Sequence, residues 1–145
     1  MQFLELLQNN ATVCYLTVAF LSLCIGSFLN VVIFRTPKMM EQEWHTECQM
    51  LLHPEQPIID HEKLTLSKPA STCPKCQTKI RWYQNIPVIS WLVLRGKCGT
   101  CQNPISFRYP FIELLTMLCS LTVVAVFGPT LQMVAGLILT WVLIA

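Results

Sequence analysis

Long segments without a charged residue constrain the fold of this 145-residue chain more than any other feature. No Asp, Glu, Lys or Arg occurs in residues 6–34 or 114–145, and all ten Lys and Arg fall between Arg35 and Arg108. Helices of soluble proteins carry charges on their solvent-facing sides, so this segregation is not typical of a soluble domain. A bilayer core excludes charges, and the sequence therefore predicts an all-α polytopic membrane protein.

The lengths of the apolar segments place the membrane spans, because a transmembrane helix needs about 20 mostly apolar residues. We predict a first transmembrane helix over residues 11–34, after an N-terminal tail of residues 1–10, and a second helix over residues 109–127. Residues 130–145 form the start of a third span without a polar flank, so we expect the sequence to be truncated after about three spans. No basic residue precedes the first span, which argues against a secretory signal.

Basic residues orient these spans. The loop of residues 35–108 holds ten basic and six acidic residues, whereas the N-terminal tail holds no basic residue. The positive-inside rule therefore predicts a cytoplasmic loop and a periplasmic N-terminus. Residues 39–62 contain all six acidic residues of the loop and are expected to be a solvated surface, with some helix near residues 39–52. We identify no internal repeat.

Two Cys-x2-Cys pairs stand in the basic half of the loop. Cys73 and Cys76 form the first pair, Cys98 and Cys101 form the second, and 21 residues separate them. A two-residue spacer lets both sulfurs reach one tetrahedral ion, so we predict a zinc-ribbon-like module over about residues 68–106. Disulfides and redox-active pairs are the competing interpretations, although the cytosol keeps thiols reduced.

The segment between the pairs, from Trp82 to Gly96, is too short to span a membrane. Asn85 is expected to cap a short helix, with Pro87 in its first turn and Gly96 just past its end. This insert either covers the metal site or rests on the membrane surface. For Trp82 and Trp91 we favour simple packing.

The first span carries small and polar residues at helical spacing. Ser22, Gly26 and Asn30 are four residues apart, and Ser27 lies beside them. Small residues let helices approach, and an amide in lipid needs a partner, so a helix-contact face is the first interpretation and a substrate-facing surface the second.

Glu113 lies early in the second span, after Pro110, where the helix N-terminus would stabilise a carboxylate. An ionisable group there is a functional candidate by default. An ion pair with Arg108 or Arg35 is the alternative.

Four ordered motifs together resemble one family. They are Gly26-Ser-Phe-Leu-Asn-Val-Val-Ile-Phe-Arg-Thr-Pro37, Cys73-Pro-Lys-Cys76, the stretch from Trp82 to Cys98, and Ile105-Ser-Phe-Arg-Tyr-Pro-Phe-Ile-Glu113. In this order they closely resemble the N-terminal region of type IV prepilin leader peptidases. The resemblance implies a membrane aspartic peptidase of the bacterial inner membrane that cleaves basic prepilin leaders after glycine and methylates the new N-terminus with S-adenosylmethionine.

The resemblance also implies cofactors, partners and site residues. Zinc and S-adenosylmethionine are the expected cofactors, and prepilins or pseudopilins and the lipid bilayer are the expected partners, with no nucleic acid. The candidates for substrate binding or methyl transfer within the matched motifs are Gly26, Ser27, Asn30, Arg35, Gly96 and Glu113.

The sequence departs from the family in its carboxylates. Peptidases of this kind use two aspartates, one of them in a Gly-x-Gly-Asp motif, whereas this chain holds a single aspartate, Asp60, and no such motif. We expect the catalytic aspartates to lie beyond Ala145 and the 145 residues alone to lack peptidase activity. A non-catalytic membrane-anchored zinc adaptor and a membrane thiol-disulfide oxidoreductase are the alternative functions.

Overall fold

A computed structural model describes residues 10–52, 64–73, 75–80 and 86–145. These residues form four helices, α1 over Ala11–Leu52, α2 over Ile89–Val93, α3 over Arg108–Phe127 and α4 over Leu131–Ile144. Helices α1 and α3 are long and apolar enough to cross a membrane, and α4 is a shorter apolar helix. The described part of the chain contains no strand, only two isolated bridges in the cysteine-bearing segment. The predicted all-α membrane fold is confirmed.

Helix α1 continues well past the predicted end of the first span. It runs for 42 residues and includes Pro37, three residues beyond the predicted end of the span. A proline inside a helix removes one hydrogen bond and costs about 3 kcal/mol. The residues that follow, from Met39 to Glu43, are good helix formers and offset part of this cost. Residues 35–52 therefore extend the helix beyond its apolar part, and the span boundary at residue 34 stays a prediction.

Helices α1 and α3 are antiparallel and meet along a face of small and polar residues. The α1 side of this face consists of Ser22, Gly26 and Asn30, and the α3 side of Glu113, Thr116 and Ser120, all of them buried. A Cβ atom on Gly26 would lie 2.8 Å from the Glu113 Cα, so only glycine permits this approach. The predicted contact role of the small residues in α1 agrees with this packing.

Helix α4 packs against the other end of the pair. Helix α3 ends at Phe127, Gly128 turns the chain with a φ of 60°, and the Thr130 hydroxyl caps α4 by accepting from the Met133 N–H. The Trp141 indole N–H donates to the Ser120 hydroxyl over 3.0 Å. The apolar cluster that joins the three helices consists of Cys14, Val18, Val124 and Leu137.

The outer surfaces of the helices are apolar. Phe20, Leu118 and Leu139 are more than half exposed on α1, α3 and α4. In water such surfaces would be unfavourable, whereas in a bilayer they contact lipid. The burial pattern therefore agrees with a membrane protein whose polar groups face its own helices.

Candidate functional site

The first cysteine pair lies in a tight turn that its backbone hydrogen bonds define. The Cys73 N–H donates to the Thr78 carbonyl over 3.0 Å, and the Gln77 N–H donates to the Cys73 carbonyl over 2.9 Å. Gln77 has a φ of 55°, in the left-handed region, which reverses the chain directly after Cys76. The turn therefore brings both thiols of the pair to one side.

The second pair repeats this turn in the same register. The Cys98 N–H donates to the Asn103 carbonyl over 2.8 Å, the Gln102 N–H donates to the Cys98 carbonyl over 3.0 Å, and Gln102 has a φ of 57°. The two turns form a small structural repeat that the sequence analysis missed. Its signal was the shared pattern Cys-x2-Cys-Gln, because the glutamine after each pair takes the left-handed position.

The two turns bring the four thiols together. The sulfurs of Cys73, Cys76, Cys98 and Cys101 all lie within 4.8 Å of one another, and those of Cys73 and Cys101 are 3.7 Å apart. Sulfurs bound tetrahedrally at about 2.3 Å from one ion lie about 3.8 Å apart. All eight cysteines of the chain are free. The cluster therefore fits a tetrahedral metal ion.

Hydrogen bonds to the sulfurs favour the thiolate form of two of these cysteines. The Thr78 hydroxyl, 3.3 Å from the Cys76 sulfur, and the Thr78 backbone lower the pKa of Cys76 to about 6. The backbone groups of Cys101 and Thr100 lower the pKa of Cys98. For Cys101, the backbone of Asn103 favours the thiolate, but desolvation and the neighbouring thiols outweigh it and raise its pKa to about 11. A metal ion would displace the remaining protons.

A cavity of 560 Å³ separates the cysteine module from the middle of α1 and the start of α3. Its wall includes Cys73 and Cys98 on the side of the module, and Trp91 on the insert. Gly26 and Gly96 do not line it. Of the six candidate residues, the structure places four around this cavity: Ser27, Asn30, Arg35 and Glu113.

Glu113 connects α3 to the insert between the cysteine pairs. Its side chain is 7% exposed, and its Oε2 accepts a hydrogen bond from the Val88 N–H over 2.7 Å. Ser27 and Glu113 line the same cavity. Val88 has a φ of 58°, which is rare for a β-branched residue, so the bond to Glu113 helps to hold an unfavourable backbone conformation.

The side chains of Asn30 and Arg35 donate hydrogen bonds to backbone carbonyl groups. The Asn30 amide donates to the Tyr109 carbonyl over 3.0 Å, which supplies the partner that an amide in lipid needs. The Arg35 guanidinium donates to the Thr65 and Pro69 carbonyls, each over 2.7 Å. Among the described residues, Arg35 therefore anchors the loop to α1 and does not pair with Glu113.

Gly96 holds the insert against the second cysteine turn. It has a φ of 67°, and a Cβ atom there would lie 2.9 Å from the Trp91 ring. The Trp91 indole donates to the Ile105 carbonyl over 3.3 Å, which agrees with the packing role expected for this tryptophan. Helix α2 begins at Ile89 with Val88 in the cap position, and the expected cap Asn85 and Trp82 lie outside the described residues.

Comparison with known proteins decides the family. The family described as Bacterial Peptidase A24 N-terminal domain matches residues 20–127, which include the α1–α3 helix pair and the whole cysteine module. The chain belongs to this family. The matched segment thus contains both the contact face of α1 and α3 and the four cysteines.

Individual relatives of this A24 N-terminal domain share one name, prepilin leader peptidase/N-methyltransferase. The protein of Aeromonas hydrophila is 48% identical over 132 residues, that of Legionella pneumophila 43% over 140 residues, and that of Neisseria gonorrhoeae 50% over 129 residues. These alignments cover 90%, 97% and 88% of the chain and 46%, 48% and 44% of the relatives. The chain thus spans about half the length of the curated relatives it matches. No solved structure matches it significantly.

Proposed function

We propose that this A24 N-terminal domain forms the membrane-anchored, metal-binding half of a prepilin leader peptidase/N-methyltransferase. The observation that carries the proposal is the identity of 43–50% with three relatives of that name over 88–97% of the chain. Prepilins or pseudopilins are then the substrates. The positive-inside rule favours a cytoplasmic cysteine module and a periplasmic N-terminus in the bacterial inner membrane.

In this proposal the peptide-cleaving carboxylates come from the part of the relatives that the chain does not cover. Two carboxylates that share a proton can activate a water for amide hydrolysis. The chain has one aspartate, Asp60, outside the described residues, and Glu113 is engaged with the Val88 N–H. With a single aspartate, the 145 residues supply no pair of aspartates of their own.

The metal is proposed to be zinc in a structural role. Cys73, Cys76, Cys98 and Cys101 would bind it as thiolates, and four thiolates leave no open position for a reacting water. A bound Zn²⁺ would join the two cysteine turns, each of which contains one isolated bridge and its own turn hydrogen bonds. Its contribution would be to the folding of the module.

The cavity between the module and the two long helices is proposed as the site of methyl transfer. When bound there, S-adenosylmethionine would supply an activated methyl group for the N-terminal amine of the cleaved pilin. The cavity volume of 560 Å³ is in the range of small-molecule sites. Ser27, Asn30 and Glu113 line it with polar groups suited to an amine, and Trp91 supplies an apolar wall.

A chimera tests the proposed function. The aligned N-terminal half of the Aeromonas hydrophila relative is replaced by this chain, and the chimera is expressed in cells without a prepilin peptidase of their own. We expect leader cleavage on immunoblots and N-methylated mature pilin by mass spectrometry. The matched control is the same chimera carrying Cys48→Ser, a change outside the cysteine cluster.

A metal-loaded, membrane-inserted chimera that processes no prepilin would contradict the proposal and favour a non-catalytic zinc adaptor. Cleavage without methylation would retain the peptidase assignment and reject the cavity as a methyl-transfer site. A disulfide between the two cysteine pairs in the purified protein would favour the oxidoreductase alternative.

A further inference from the structure

Helix α2 has two different faces. One face lines the cavity beside the cysteine module. The other consists of Ile89, Leu92 and Val93, which are 59%, 60% and 76% exposed. These positions are three and four residues apart, so their side chains share one side of the helix. The insert thus presents an apolar face away from its own module.

A single hydrogen bond sets the depth of the insert relative to the membrane helices. The Val88 N–H contacts the carboxylate of Glu113, which follows Arg108, the first residue of α3, by five positions. At a rise of 1.5 Å per residue, Glu113 lies about 7.5 Å further into the bilayer than Arg108. Glu113 also lies against Gly26 of α1. Gly26 precedes Arg35 by nine positions, which is about 13.5 Å along the helix axis.

Arg35 and Arg108 are the basic residues next to the two spans and mark the polar edge of the membrane. The start of α2 therefore lies deeper than this edge. The headgroup region on each side of a bilayer is about 5–7 Å thick. Helix side chains tilt toward the helix N-terminus, so the Glu113 carboxylate lies between its own Cα and the level of Arg108. Val88 therefore lies within the headgroup layer, next to the level where acyl chains begin.

Aromatic side chains join α2 to the start of α3. The rings of Trp91 and Phe107 meet edge to face with centroids 5.6 Å apart, and those of Phe107 and Phe111 are 6.4 Å apart. Phe107 and Phe111 are 59% and 51% exposed. Trp91 lines the cavity and not the exposed face of α2, so its ring joins the insert to the exposed phenylalanine rings at the start of α3.

We propose that α2 is a membrane-surface helix, with Ile89, Leu92 and Val93 inserted between lipid headgroups and upper acyl chains. The occupant of this face is lipid, because the hydrogen bond to Glu113 holds the helix at a depth where acyl chains begin. Arg95 and Lys97 follow directly and suit anionic headgroups. The cysteine module is thereby docked on the bilayer at a fixed height. This inference does not depend on peptidase or methyltransferase activity.

The test measures what surrounds position 93. An environment-sensitive fluorescent amino acid replaces Val93 in the full chain, which is reconstituted in vesicles of phosphatidylcholine and phosphatidylglycerol at low protein density. Quenching by brominated lipids is compared with quenching by aqueous iodide. The matched control carries the same label at Leu51, which is 83% exposed on the extension of α1.

We expect blue-shifted emission at position 93, with several-fold stronger quenching by brominated lipids than at position 51 and little quenching by iodide. Strong iodide quenching at position 93 would overturn the proposal. Protection from both quenchers would also overturn it, because the face would then be covered by protein.

Metal content reports whether each labelled chain has kept its fold. If the label at Val93 releases the metal, the same label is placed at Ile89, on the same face. The expected and the contradicting outcomes are then the same as for position 93.

Discussion

At the scale of single residues, the four cysteine thiols carry most of the chemistry of the loop. Each ligand removed leaves a tetrahedral ion with an open position and weaker binding. We expect Cys73→Ser, Cys76→Ser, Cys98→Ser or Cys101→Ser to release zinc and unfold the module, because structural zinc contributes about 10–16 kcal/mol of apparent binding free energy in small peptides.

Metal analysis of the purified proteins measures this effect, with Cys48→Ser as the control that retains one zinc per chain. Cys48 lies on the exposed extension of α1, away from the cluster. Zinc retained after two of the four ligands are replaced would contradict the assignment.

The thiol pKa values make a second prediction, for the moment when a chelator has removed the metal and the two cysteine turns have not yet unfolded. Cys76, with its pKa lowered to about 6, is a thiolate at neutral pH, whereas Cys101, with its pKa raised to about 11, is a thiol. Thiolates are the nucleophiles, so iodoacetamide at pH 7 should alkylate Cys76 well before Cys101.

Peptide mapping by mass spectrometry gives the order of labelling. Exposure alone predicts the opposite order of labelling, because Cys101 is more exposed than Cys76. Faster labelling of Cys101 would therefore show that exposure, not the hydrogen bonds from Thr78, controls reactivity.

Gly26 gives a third prediction at this scale. A β-branched side chain there would meet the Glu113 backbone, which cannot move without separating α1 from α3. We expect Gly26→Val to lower the free energy of unfolding in detergent micelles by about 1–3 kcal/mol, a typical cost of overpacking. Cys24→Val, at an exposed position of the same helix, should change it much less. Equal effects of the two substitutions would show that the close approach at Gly26 does not stabilise the pair.

At the scale of elements, sequence spacing predicted one half of the main helix interface. Ser22, Gly26 and Asn30 were recognisable because small and polar residues recur every four positions in α1. The α3 half follows similar spacing, from Glu113 through Thr116 to Ser120, but its threonine and serine were not identified. Residue spacing alone predicts a contact face on one helix. It cannot predict which residues of α1 and α3 face each other, because the shift of one helix along the other depends on the whole loop.

The contacts of the loop were beyond what sequence could predict. Arg35 donates to carbonyls at positions 65 and 69, and backbone carbonyls carry no signature in the sequence. The bond from Val88 to Glu113 likewise depends on a left-handed backbone at a valine, which residue preferences disfavour. The cysteine module was predictable because its metal chemistry fixes both residue type and spacing.

The extension of α1 makes a prediction about substrate binding that depends on the proposed function. Glu41, Glu43 and Glu47 are exposed on this helix and would attract a basic prepilin leader. Replacing all three with Gln in the chimera should raise KM at low ionic strength, because surface attraction speeds association, and salt should remove the difference. Gln49→Asn on the same helix is the uncharged control. An unchanged KM at low salt would leave the acidic helix as a solvated surface.

At the scale of the whole molecule, the chain combines two parts at one edge of a membrane. Small and polar residues pack α1 against α3, the cysteine module lies beside the middle of α1 and the start of α3, and the Val88–Glu113 hydrogen bond couples the two parts. The cavity between them gathers four of the six residues selected from the sequence. These residues were selected because they lie within the motifs that carry the family resemblance, but their common cavity required the three-dimensional arrangement.

The central claim is that this chain anchors and positions a prepilin-processing enzyme while its partner half supplies the catalytic carboxylates. The most direct test is the fraction of prepilin cleaved in membranes that contain the 145-residue chain alone, beside membranes that contain the chimera at equal abundance. Peptidases of this kind use two aspartates and the chain holds one, so we predict no mature pilin from the chain alone and cleavage by the chimera. Mature pilin produced by the 145-residue chain alone would contradict the account.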